Sequence, residues 1–318
     1  MLIMKKIYAY IWSVISLMII SQGANAACYV NQGGPKTYTL TQSALTVQRD
    51  APVGTVIGTI VATGPSGAYL SCSGSGHGYY AVSKFNTPSS IGSVYNTNIP
   101  GVGVKVQLSN SSLYFENPAV VRNYANATVY IDGYLPQVSF IKTGNVISGI
   151  VSSGTVGVTT DDGGVAALTV NLSGNSITQL ACSITTPNLT FSIGNILASS
   201  FGASVGTIPP GAQNTQNLGL NCDAGANINV SLQGTQNPDV STTSVLALSG
   251  QGNADVAKGV GVQLLYNGAP LVLNNRIVLK RSAGGQETFP ITARYYQTKT
   301  AVTTGKANAS ATLDITYQ

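Results

Sequence analysis

Residues Gly305 to Gln318 read Gly-Lys-Ala-Asn-Ala-Ser-Ala-Thr-Leu-Asp-Ile-Thr-Tyr-Gln. Ala311, Leu313, Ile315 and Tyr317 fall on one side of an extended chain, and Thr312, Asp314 and Thr316 on the other. Strict alternation is the period-two signature of a half-buried strand. The sequence stops one residue after Tyr317, so this strand is expected to need a partner along one edge. An open apolar edge is a hazard unless something covers it. The plainer alternative is an ordinary last strand of a complete sandwich.

The other end reads as an export signal. Lys5 and Lys6 precede an apolar run from Ile7 to Ile20, and Ala24-Asn25-Ala26 is an Ala-x-Ala cleavage site before Ala27. A membrane anchor needs about 20 apolar residues with different flanks, and no later segment has them. Residues 1–26 are therefore read as a signal peptide, and the remainder exceeds the ~100–200 residues of one domain, so two domains are expected.

Of 15 Lys and Arg, Lys5 and Lys6 leave with the signal, so the net charge falls from +5 to about +3 against 10 acidic residues. So dilute a charge excludes a nucleic-acid partner. Long amphipathic helices are absent from the pattern; Leu45-Thr-Val-Gln48, Val102 to Leu108 and Thr128 to Asp132 alternate instead. Short alternating runs with turn residues at intervals of about 8 to 12 indicate an all-β protein of sandwiches or barrels. Four cysteines, at 28, 72, 182 and 222, allow three pairings in an exported chain. Their separation into an early and a late pair favours Cys28–Cys72 and Cys182–Cys222, each worth roughly 4 kcal/mol by chain entropy. A zinc site would want Cys-x-x-Cys or several histidines, and the chain has one histidine, His77. No cofactor or metal is expected.

Several motifs resemble the subunits of chaperone–usher fimbriae. Those subunits carry a glycine fourteenth from the end and an aromatic residue next to last, the places of Gly305 and Tyr317. Ala181-Cys182-Ser-Ile, Leu189-Thr-Phe-Ser-Ile-Gly194, Gln216 to Cys222, Lys258 to Gly268 and Asn274-Asn275 resemble the pilin domain of the type 1 fimbrial tip adhesin in order and spacing. Asn267-Gly268 is a hairpin signal in its own right. More weakly, Thr46 to Gly54 and Phe140 to Gly154 resemble segments of the N-terminal lectin-type domain of the same adhesins.

The resemblance implies two β-sandwich domains: a lectin-like elongated sandwich or barrel over 27–173, a linker at 174–176, and an incomplete immunoglobulin-like pilin domain over 177–318 lacking its last strand. A periplasmic chaperone, then a neighbouring fimbrial subunit assembled at an outer-membrane usher, would supply that strand. Leu189, Phe191 and Ile193 on one side and Ala311, Leu313, Ile315, Tyr317 and Gln318 on the other are the expected strand-groove and chaperone contacts. Cys28 follows the cleavage site by one residue, which leaves no N-terminal strand to donate. The expectation is a surface protein at the fimbrial tip.

Enzyme chemistry finds little footing. Neither Gly-x-Ser-x-Gly nor His-Glu-x-x-His occurs, and Asp161 and Asp162 would point to opposite faces if they lay on a strand. Tyrosine is concentrated ahead of residue 135, as recognition surfaces tend to be. The family's tip pocket maps to loops Ser73 to Tyr80 and Thr159 to Gly164. His77, Tyr79, Tyr80, Asp161 and Asp162 are the candidate contacts for a host glycan, by stacking and by hydrogen bonds to hydroxyls. An extracellular-matrix protein as ligand, and a purely structural capping subunit, stand as the alternatives.

Overall fold

The computed structural model describes residues 26–41 and 43–318. The signal-peptide reading falls on residues 1–26, of which 1–25 lie outside the described residues. The described residues divide into two compact units, one within 26–45 and 53–177, the other of 46–52 and 178–318. The described residues are almost entirely strand and turn, with a single 3-10 turn at Ala198–Ser200.

The first unit places a five-stranded sheet (order Lys36–Leu40, Ala166–Leu172, Gly154–Thr160, Ser75–Val82, Val120–Ala125) against a four-stranded one (Val56–Val61, Pro136–Lys142, Val102–Leu108, Tyr95–Asn96). Alternation decides which side chains meet. Val104, Val106, Val138, Phe140, Leu168 and Val170 are all fully buried, and the Tyr80 ring meets Phe115 edge-on at 5.7 Å. Gly157 sits where Phe115 and Val106 leave no room for more, since a Cβ there would lie 3.0 and 3.1 Å from them. Ala27–Val30, Ala68–Ser73 and Thr128–Tyr130 form a small third sheet in which Cys28 pairs with Cys72 and the disulfide closes. One extra residue on the middle strand of this sheet, Tyr69, makes a bulge opposite Val129 and Tyr130. Tyr69 and Leu70 are therefore both buried although adjacent. Asn175 and Ser176, expected as linker, pair with Val151 and Ile150.

The second unit pairs Cys182–Ile184, Gln213–Cys222, Gly285–Gln297, Val260–Tyr266 and Val245–Leu246 in one sheet, with Cys182–Cys222 as its disulfide. Asn267 and Gly268 both take positive φ, 49° and 78°, as the two-residue hairpin to Ala269–Pro270 requires. A second sheet has the order Arg276–Arg281, Asn227–Gln233, Thr312–Tyr317. Leu218, Leu220, Ile228, Leu232, Phe289, Ile291 and Tyr317 form the core of the unit.

Thr46 to Pro52 departs from expectation. Its sequence resembles an N-terminal-domain segment, yet it packs as part of the second unit. Hydrogen bonds explain this: the Gln48 side chain donates to the Gly225 carbonyl and accepts from Asn227 N–H, and Arg49 N–H donates to the Leu180 carbonyl. Such polar side chains carry no periodic signal, which is why the sequence pattern misses them.

Candidate functional site

A groove of about 1030 Å³ opens in the second unit. Its floor is apolar, formed by Leu246, Val260, Val262, Leu264 and Ala293. One wall is residues 189–196, where Leu189, Phe191 and Ile193 alternate half-buried with exposed Thr190 and Ser192. The alternation is that of a strand, but among the described residues no backbone hydrogen bond reaches 187–196. The facing wall is 302–311. Lys306 exchanges backbone bonds with Asp255 and Ala257, and the Asn308 carbonyl accepts from Ser249, so these backbone groups are already paired. Ala307, Ala309 and Ala311 line it with small side chains. Among the described residues no ladder joins the two extended walls.

The regular strand begins only at Thr312, later than the alternation from Gly305 suggests. The partner strand Asn227–Gln233 ends opposite Thr312, and Gly305 lies beyond that pairing. A Cβ there would lie 2.4 Å from the Ala257 backbone nitrogen and 2.6 Å from the Val256 carbonyl carbon. The chain presses backbone to backbone at this point, which only glycine permits. From Thr312 onward Leu313 and Ile315 pack half-buried on the core, Tyr317 is fully buried, and its hydroxyl donates to the Cys182 carbonyl at 3.2 Å. Ala311, by contrast, is exposed where it lines the groove; Gln318, which does not line it, is also exposed, and its carbonyl accepts from the Asn227 side chain.

In the first unit the two acidic residues sit at the turn after Gly154–Thr160 and not on the strand, and both carboxylates turn toward Ala27–Val30. Asp162 accepts from Cys28 N–H at 2.7 Å, His77 N–H at 2.8 Å, His77 Nδ1 at 3.0 Å and the Tyr79 hydroxyl at 3.3 Å. Asp161 is buried, and accepts from Val30, Gly163 and Val165 N–H. The segment expected as loop Ser73 to Tyr80 is instead a turn at Gly74 and the strand Ser75–Val82. Gly76, Gly78 and Tyr80 face inward; a Cβ on Gly76 would stand 2.3 Å from Cys28 N. Small residues on the inner face allow this strand to lie tight against the first one.

The candidates therefore separate. His77, Tyr79 and Asp162 lie together at the surface. Tyr80 does not reach it: its hydroxyl bridges Tyr69 and Tyr124, at 2.7 Å each, and burial pushes its pKa far above that of an ordinary phenol. Tyr38, Tyr69, Tyr80 and Tyr95 are all buried, so much of the N-terminal tyrosine excess builds core. Tyr29, Tyr130 and Tyr134 are the exposed ones. The Tyr69 side of the bridge was not legible from periodicity, because the bulge at Tyr69 breaks the period.

Partial burial raises the Asp162 pKa, but the hydrogen bonds from Cys28 and His77 outweigh it and hold the carboxyl below the usual range. A depressed folded-state pKa contributes stability that is present above the unfolded value and lost as pH falls through the folded one. Thermal unfolding followed between about pH 6 and pH 2 is expected to show a loss beginning below about pH 4, and Asp162→Asn is expected to flatten that part of the profile. An unchanged profile in the variant would remove Asp162 as a clamp on the first strand.

Comparison with known proteins also divides the chain in two, but keeps residues 46–52 with the first part. The fimbrial protein family model matches residues 168–318, and the MrkD-like receptor binding domain matches residues 39–175. A fimbria adhesin protein of Klebsiella pneumoniae is 27% identical over 99% of this chain and 100% of its own length. Fimbrial subunit type 1 of Salmonella typhimurium is 30% identical over 47% of this chain and 82% of its own. Among solved structures, the receptor binding domain of the plasmid-born adhesin MrkD1P of Klebsiella pneumoniae covers 50% of this chain and 99% of itself at 20% identity, TM-score 0.41. The CupB6 tip adhesin from Pseudomonas aeruginosa covers 92% and 95% at 14% identity, TM-score 0.37.

A receptor-binding domain followed by a fimbrial domain defines a fimbrial adhesin. The chain belongs to the fimbrial protein family. Such proteins are adhesive and structural and are carried on surface fimbriae.

Proposed function

We propose that this protein is the tip adhesin of its fimbria: its pilin unit accepts an extended strand from a periplasmic chaperone and then, at the outer-membrane usher, from the neighbouring subunit, while its first unit binds a host glycan. The observation that carries the assembly half is the groove, with its apolar floor between two extended walls that share no ladder. A strand entering there would pair its backbone with both walls and place alternate side chains on the floor. A small molecule would leave those backbone groups bare.

Binding to the folded form stabilises by mass action, about 2.7 kcal/mol at a hundredfold excess over Kd. A synthetic peptide of alternating Ile and Thr is therefore expected to raise the melting temperature of the full chain, whereas a scrambled peptide leaves it unchanged. Phe191→Glu should abolish the rise, because it sets a carboxylate on the groove wall. A melting temperature indifferent to both peptides would defeat the strand-accepting reading.

The candidate glycan site is His77, Tyr79 and Asp162, where a ring face, a ring nitrogen and a carboxylate meet at the surface. Stacking and shared hydrogen bonds of this kind suit a sugar. Glycan-array binding by the full chain in complex with its chaperone is expected to fall about tenfold or more in His77→Ala and Tyr79→Ala, since one such contact is worth about 1 to 2 kcal/mol. Undiminished binding in both would remove the site. The exposed Tyr29 and Tyr130, on a sheet rather than in a pocket, favour a protein ligand as the second reading. Immobilised matrix proteins run beside the array would decide between them.

A further inference from the structure

Backbone groups alternate sideways along a strand, so Leu313, Ile315 and Tyr317 direct theirs away from the partner strand Asn227–Gln233. At Tyr317 both groups are already taken. Its N–H donates to Asp50 Oδ2 at 2.8 Å and its carbonyl accepts from Asp50 N–H at 2.9 Å. A single residue of the 46–52 segment thus does at this edge what a residue of a paired strand would do. One step along, the Ile315 carbonyl accepts from Arg49 Nη2 at 3.2 Å. The same guanidinium pairs with the Asp50 carboxylate at 2.9 Å and lies 4.5 Å from the centre of the Tyr317 ring. Gln48, fastened to Gly225 and Asn227, anchors the turn that carries both residues.

We infer that Arg49 and Asp50 form a stop that sets the register of the strand received by the pilin unit, which pairs along the edge from Ala307 to Leu313 and ends at Ile315. The inference rests on the strand-accepting reading above and adds to it which residues decide where the strand halts. A slip of one residue turns every side chain to the wrong face and is excluded by the alternation itself. A slip of two keeps the faces, and a wall of Ala307, Ala309 and Ala311 resists it weakly, since none of these side chains has a shape to match. A fixed end distinguishes registers two apart where this wall does not. To overrun, an incoming chain must displace two bonds at Tyr317, one of them to a carboxylate, together with the Arg49 bond at Ile315.

The test uses the full chain and a peptide of about twelve alternating Ile and Thr residues, made with a cysteine at one end or the other. Single reporters, Ala311→Cys and Gln318→Cys, are trapped by disulfide exchange. The unaltered stop should give cross-links at Ala311→Cys and few at Gln318→Cys. With Asp50→Ala, cross-linking at Gln318→Cys is expected to rise about fivefold, the equivalent of one hydrogen bond. Asp50→Asn keeps an acceptor for Tyr317 and should restore the original pattern. Where Asp50→Ala yields no folded protein, Arg49→Ala opens the Ile315 carbonyl alone and should also shift cross-links toward Gln318→Cys. A peptide that fails to bind the unaltered chain overturns the strand-accepting reading and the stop with it. A peptide that binds with one and the same cross-link pattern in all variants overturns the stop and leaves that reading standing.

Discussion

Tyr317→Asp is expected to unfold the pilin unit. The ring is fully buried in the core, its hydroxyl bonds the Cys182 carbonyl, and burial pushes its pKa upward. Truncating a buried aromatic costs about 3 to 5 kcal/mol. A carboxylate in the vacated space adds the cost of a charge facing apolar neighbours, with Asp50 of like charge bonded to the same residue's N–H. Together these approach the whole stability of a domain, about 5 to 15 kcal/mol. Export and recovery with the chaperone should fail. Tyr317→Phe keeps the ring and loses one hydrogen bond, so it should cost only about 1 kcal/mol and still be recovered. Ile315→Asp, on the same strand but half-buried, should fall between them. If Tyr317→Asp gave a soluble chain with a melting temperature near that of the parent, the buried last strand would be wrong.

Gly305→Ala is the second large effect. A methyl group 2.4 Å from the Ala257 nitrogen and 2.9 Å from its Cα meets backbone, which cannot rotate away as a side chain would. The two bonds that join Lys306 to Asp255 and Ala257 must open for the chain to back off. Overpacking of about 1 to 3 kcal/mol plus a lost bond of about 1 gives roughly 2 to 4 kcal/mol. Because 302–311 forms one groove wall, the shift should also narrow the groove and weaken the peptide response. Thermal unfolding with and without peptide reads both effects, with Ser310→Ala, exposed on the same wall, as the neutral control. A fall in melting temperature without loss of the peptide response would confine Gly305 to packing.

Much of the fold was legible because alternation is local. Leu45–Gln48, Val102–Leu108 and the end of the chain are strands where period two said they would be, and Asn267-Gly268 turns as a two-residue hairpin must. The cysteine pairs followed from their grouping along the chain. Leu189, Phe191 and Ile193, at alternate positions, lie on one wall of the groove. The first-unit cluster was less legible. Nothing in Tyr79-Tyr80 says which ring faces in until Gly76 and Gly78 are seen to be inner residues, and nothing in Asp161-Asp162 says that both carboxylates are turned to one strand.

By itself, then, the sequence determined that the chain is all-β, disulfide-bonded and built around an alternating last strand, since strand period, turn chemistry and composition are properties of near neighbours. Tertiary structure decided that Thr46 to Pro52 belongs to the pilin unit and that Asp50 occupies the end of the very strand from which the fold was first read. The Asp50 contact joins residues 267 positions apart through two hydrogen bonds, and so distant a pairing leaves no trace in any local pattern.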